Sequence, residues 1–224
     1  MMTIGAIFDL GSVMIFDRDI RLMAWKQAVE ELVLKDISGD DVEHYIKGKS
    51  AKDILEHFTG YPLSDEMTDQ FSEERDRIYR FLIEKNNMEL SPGLKDYLNY
   101  LIMLKAPLAI TTTTGVENMS FCFEYFGLSK WFKWENCIIA PDIRRAAPVK
   151  EMYMAAAEKT GVEKEHIIFF SGTAAASEAA YSAGIGNIIG IFGDGCESEL
   201  KNRPGIIMLT KNFETLRNDA DLPG

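Results

Sequence analysis

The chain has 224 residues, 46% hydrophobic and 26% charged, the balance of an ordinary globular protein with one large domain or two small ones. Its net charge of -11 argues against nucleic acid as a partner, because phosphate backbones demand clustered Lys and Arg, but leaves room for a small anion in a local basic pocket. With no apolar run of about 18 residues, no basic n-region at the start MMTIGAIF and no CxxC among Cys122, Cys137 and Cys196, the expectation is a cytoplasmic protein with no membrane partner, zinc site or disulfide framework.

Ala6–Phe8 is a short apolar run that ends at Asp9, with Gly11 and Ser12 permitting a tight turn after it. Such a run reads as a buried strand of a parallel sheet. Helical spacing follows at Ile20, Met23, Ala24, Val29, Leu32 and Val33, then at Val42–Ile46 and Ala51–Phe58, with Ser50 as the N-cap of the latter. Ser64–Glu84 reads as a long charged helix. From about Arg18 to Asn87 the pattern is helical throughout.

At Ser91-Pro92-Gly93 the character changes. Ser91 is the expected cap of a helix over Leu94–Leu104, with Pro92 at its first position. Strands are expected at Pro107–Thr111, Cys137–Ala140, His166–Phe170, Asn187–Phe192 and Ile206–Leu209. Helices are expected at Val116–Phe126, Lys150–Thr160 and Ser177–Ala183, with a last one starting at Phe213–Arg217. Strands alternating with helices specify an α/β fold: a parallel sheet flanked by helices. The expected division is a core of residues 1–16 and 88–224 with an inserted all-helical domain over residues 17–87.

Ligands of open α/β sheets bind outside the carboxyl ends of the strands. The groups offered there are Asp9 and Gly11, the threonines Thr111–Thr114, Arg144 and Arg145, and Ser171-Gly172-Thr173. Asp9 reads equally as a nucleophile, a metal ligand or a turn-capping residue. A carboxylate, a hydroxyl and a basic group suit phosphoryl transfer through an aspartyl-phosphate, whereas Arg144 and Arg145 read slightly better as a solvated loop pair than as ligands. His44, His57 and His166 form no ligand spacing.

The motifs resemble those of the haloacid dehalogenase superfamily, in the branch with a small helical cap, and are most similar to its beta-phosphoglucomutase subfamily. FDLGSVMIFD is similar to the family's FDLDGVLxD; Ala24-Trp25-Lys26 and GKSAKDIL are similar to the cap; LAITTTT resembles the second motif. Ala147–Val162 resembles KPAPDIYLKAAEKLGV, and Ile168–Ile185 resembles a stretch that typically reads FEDSxAGxxAAxxAG. The resemblance implies a Rossmann-like core with a helical cap, a hydrolase of the phosphatase type, Mg²⁺ as cofactor and a small phosphorylated metabolite as ligand. A monomer is the expectation.

By that resemblance Asp9 is the nucleophile and a metal ligand, and the backbone carbonyl of Gly11 is a second metal ligand. Thr112 is the second-motif hydroxyl, and Thr112, Thr113, Arg145 and Lys150 are the phosphate-binding candidates. The family's acid/base aspartate falls on Gly11, its lysine on Ala147 and its metal-binding acids on Ser171 and Gly172; the cap arginine falls on Ala51 and the cap histidine has no counterpart. Mg²⁺ uses one or two carboxylates plus phosphate oxygens, so with Asp9 alone its binding is expected to be weak or absent. Removing one preorganised electrostatic partner costs about 10²–10³ in rate. The expectation is a degenerate phosphatase with little or no turnover that at most binds a phosphometabolite or a partner, the alternative being an active phosphatase with Asp9 as nucleophile. Gly172→Asp is expected to raise metal affinity.

Overall fold

The computed structural model describes residues 4–46, 49–140, 149–193, 195 and 197–216. Six strands form one sheet: β1 (Gly5–Asp9), β2 (Leu108–Thr112), β3 (Cys137–Ile139), β4 (Ile167–Ser171), β5 (Asn187–Ile191) and β6 (Ile206–Thr210). The spatial order is β3-β2-β1-β4-β5-β6 and every pairing is parallel. The order reverses at β1, which lies between β2 and β4, so Asp9 sits at the topological switch point of the sheet.

The strands are apolar runs because both faces are covered. Successive side chains point to opposite faces. Ile7 and Phe169 face one way, into a cluster with Tyr153 and Ala156 of α7 (Lys150–Thr160) and Ala176 and Ala180 of α8 (Ala174–Ser182). Phe8 and Phe170 face the other way and stack with ring centroids 4.7 Å apart and planes within 10°. Phe213 and Tyr97 complete that aromatic layer, 5.3 Å from each other and 5.4 Å each from Phe170.

The described residues form two compact units. One holds the sheet and its helices, from the residues up to Phe16 and from Glu89 onward. The other, Asp17–Met88, holds α1 (Arg18–Val33), α2 (Gly39–Ile46), α3 (Ala51–Thr59) and α4 (Asp65–Lys85) and, among its described residues, no strand. Ser50 caps α3 through a capping box with Asp53, and Ser64 caps α4 by accepting the Met67 N–H. Val29, Leu55 and Leu63 form its small core, packed with Trp25, Phe58 and Phe71. The buried Asp17 carboxylate accepts the Tyr79 hydroxyl at 2.7 Å and pairs with the Arg21 guanidinium at 2.9 Å.

Three local expectations are corrected. The cap of α5 (Leu94–Met103) is Gly93, at φ +79°, while the Ser91 hydroxyl donates to the Val13 carbonyl at 2.8 Å. A tertiary acceptor has captured the side chain that a local reading assigns to the helix. The chain after β1 forms a single π turn, Leu10–Met14, closed by the Ile15 N–H on the Leu10 carbonyl at 3.0 Å. The described part of the last helix is one 3₁₀ turn, Phe213–Thr215; Arg217 lies outside the described residues. None of the described helices is long and apolar enough to cross a membrane.

Candidate active site at the carboxyl edge of the sheet

Asp9, Thr112 and Ser171 close three adjacent strands, β1, β2 and β4. Asp9 is in register with Thr111, and Phe8 with Phe170, which brings the three strand ends to one edge. Asp9 is half-buried, and its Oδ2 accepts the Ser12 hydroxyl at 2.7 Å. Thr112 is buried, and its Oγ1 accepts the Thr114 N–H at 3.1 Å, folding the chain into a turn beyond β2. Thr113 follows, half-buried, in that turn. Gly11 lies within the π turn, two residues past Asp9. Such a turn inserts an extra residue and re-aims the chain, a feature frequent at functional sites.

Lys150 is the first residue of α7 and is exposed. A helix leading into a parallel strand runs back along the sheet, so its first turn lies towards the carboxyl edge. Arg144, Arg145 and Ala147 lie outside the described residues. Ala51, at the cap arginine's position, opens α3 and is half-buried.

Ser171 and Gly172, where the resemblance would place the family's metal-binding acids, are committed internally. Ser171 is fully buried, and its hydroxyl donates to the Thr173 carbonyl at 3.1 Å. Ser177 donates to Ser171 Oγ and to the same carbonyl, each at 2.9 Å. Thr173 caps α8 by accepting the Ala176 N–H at 3.2 Å. Gly172 leaves no room for a side chain: a Cβ there would lie 2.3 Å from the Ser12 carbonyl oxygen. The expectation that Gly172→Asp by itself adds a metal carboxylate is therefore corrected, because backbone occupies the space it needs. Among the described residues no group of three or more His, Cys, Asp or Glu is gathered to hold a metal ion; the strand-end residues Asp9, Thr112 and Ser171 supply one carboxylate, where Mg²⁺ uses one or two together with phosphate oxygens and water.

Two site features escaped the sequence reading. The Ser12–Gly172 contact is one; its signal is that both departures from the motif pattern concern the smallest side chain, one gained and one lost. Tyr153 is the other. Its hydroxyl is buried with no hydrogen-bond partner among the described residues. Burial, and secondarily the charge of Asp9, push its ionisation well above the ordinary range. Elsewhere in this unit, burial and then Glu135 push the Cys137 thiol up to about 12, which keeps it protonated and unreactive at neutral pH.

Asp9 at the switch point and Thr112 at the next strand end lie at the carboxyl edge of a Rossmann-like parallel sheet. The chain belongs to the haloacid dehalogenase-like hydrolases, whose family model matches residues 6–189. It is 23% identical over 223 residues to a phosphorylated carbohydrates phosphatase of Thermotoga maritima, covering 95% of this chain and 96% of that protein. Among solved structures it is similar to a haloacid dehalogenase family IA variant 3 hydrolase of Entamoeba histolytica, with a TM-score of 0.86, 25% identity and 95% of each chain covered. A beta-phosphoglucomutase of Clostridium difficile shares the fold, with a TM-score of 0.76, 21% identity and coverage of 98% of this chain and 95% of that one. Members of the family generally use Mg²⁺.

Proposed function

We propose that this chain is a haloacid dehalogenase-fold protein that holds a small phosphorylated metabolite at the carboxyl edge of its sheet and turns it over at a rate near background. Residues 17–87 serve as its helical cap. Thr112 and Thr113 offer hydroxyls and turn amides to phosphate oxygens, and Lys150 and Arg145 supply positive charge. Asp9 stands where a nucleophile would attack.

The observation that carries this reading is the state of Ser171 and Gly172. Attack by the Asp9 carboxylate brings an anion against a phosphate dianion, and at 4 Å even solvent-screened like charges repel by about 1 kcal/mol, rising to about 4 kcal/mol near a protein surface. Compensation would have to come from charges fixed in the site. Ser171 is neutral and tied to Thr173 and Ser177, and Gly172 packs on Ser12. Gly11 has no side chain to protonate the leaving group. The remaining hydroxyls bind phosphate without lowering the barrier to its transfer. Losses within one site need not add, but each of these acts on the same charge-bearing step.

A second reading, a working phosphatase with Asp9 as nucleophile, is favoured by the chain-long similarity to the Thermotoga maritima phosphatase. A phosphatase screen of the wild type beside Asp9→Asn, with an aryl phosphate and a panel of sugar phosphates in millimolar Mg²⁺, separates the two. The expected result is phosphate release within a few-fold of the blank and equal in both proteins. Robust Mg²⁺-dependent release that vanishes in Asp9→Asn would establish the phosphatase.

A further inference from the structure

Ser12, in the π turn after β1, and Gly172, just past β4, approach more closely than side chains allow. A Cβ on Gly172 would lie 2.3 Å from the Ser12 carbonyl oxygen, 2.5 Å from its Cβ and 2.6 Å from its hydroxyl oxygen. The first of these is backbone, which no rotamer change can move aside. The Ser12 hydroxyl also donates to Asp9 Oδ2 at 2.7 Å and so ties this turn to the carboxylate beside it. The motif that this chain resembles has glycine at the position of Ser12 and an acid at that of Gly172.

We propose that Ser12 and Gly172 are a matched pair: Ser12 fills the space beside Asp9 that a side chain at 172 would need, so a second carboxylate can return to this edge only when both positions change. The inference rests on the reading of this site as lacking a metal centre. Ser12→Gly removes two of the three close contacts and the bond to Asp9. It also gives residue 12 the backbone freedom to turn its carbonyl away, which is what the third contact requires. Gly172→Asp without that change forces the π turn or the end of β4 to move.

The test compares wild type, Ser12→Gly, Gly172→Asp and the double variant by thermal unfolding and by calorimetric titration with MgCl₂. Gly172→Asp is expected to lower the unfolding midpoint by about 5 °C or more and to give no saturable heat. The double variant is expected to recover most of that loss and to bind Mg²⁺, with the heat abolished by adding Asp9→Asn. Gly172→Ala, alone and with Ser12→Gly, repeats the steric comparison without a new charge should Gly172→Asp not fold. The proposal is overturned if Gly172→Asp alone is as stable as wild type and binds Mg²⁺ as well as the double variant. It is equally overturned if the double variants melt as low as the single ones. Saturable Mg²⁺ binding by the wild type would instead overturn the metal-free reading of the site, and the pairing would be judged on the unfolding midpoints.

Discussion

Phe8→Ala is expected to destabilise the protein by about 3–5 kcal/mol. Phe8 is fully buried in the central strand, one residue before Asp9. Its ring stacks on Phe170 at 4.7 Å, meets Phe132 edge-on at 5.9 Å and lies 6.0 Å from Phe213. Those neighbours come from β4, the segment after α6 (Val116–Tyr125) and the C-terminal 3₁₀ turn, so no single movement collapses the cavity. A loss of that size is a large share of the 5–15 kcal/mol of a typical domain. A chemical-denaturation midpoint reports it. A change below about 1 kcal/mol would mean that the aromatic layer repacks freely, contrary to the close ring contacts.

Gly93→Ala is expected to cost about 2–5 kcal/mol, from the left-handed backbone and from overpacking together. Gly93 stands at φ +79° before α5. A Cβ there would lie 2.4 Å from the Glu214 nitrogen and 2.6 Å from the Phe213 carbonyl carbon, both backbone. The Phe213 N–H donates to the Pro92 carbonyl at 3.1 Å, so the two segments are already hydrogen-bonded at closest approach. The substitution pushes the 3₁₀ turn away and pulls Phe213 from the layer that Phe8 shares. Gly93→Ala and Phe8→Ala are therefore expected to combine less than additively. Full additivity in the double variant would show that the turn and the layer are independent.

The fold was legible because its signals are local and redundant. The IIFFS run of β4 is too apolar and β-branched for an exposed segment, and two helices of the inserted unit carry their own caps, at Ser50 and Ser64. The candidate edge was legible as far as strand ends go: Asp9 and Thr112 close neighbouring strands. What failed was decided by contacts between distant parts of the chain. Ser91 looked like a cap because Ser-Pro-Gly is a helix-start pattern, yet its hydroxyl goes to the Val13 carbonyl. Gly172 looked like a missing carboxylate that one substitution could restore, yet the obstacle is the carbonyl of Ser12. The π turn leaves no periodicity in five residues, and Tyr153 reads from sequence as an ordinary core aromatic.

The most direct test of the central claim is calorimetric titration of the purified wild type with MgCl₂, beside Asp9→Asn. The claim is that this edge, with Ser171 and Gly172 in place of acids, does not assemble a Mg²⁺ site on Asp9. The predicted result is no saturable heat at physiological Mg²⁺ and the same trace for both proteins. Micromolar affinity in the wild type that disappears in Asp9→Asn would contradict it.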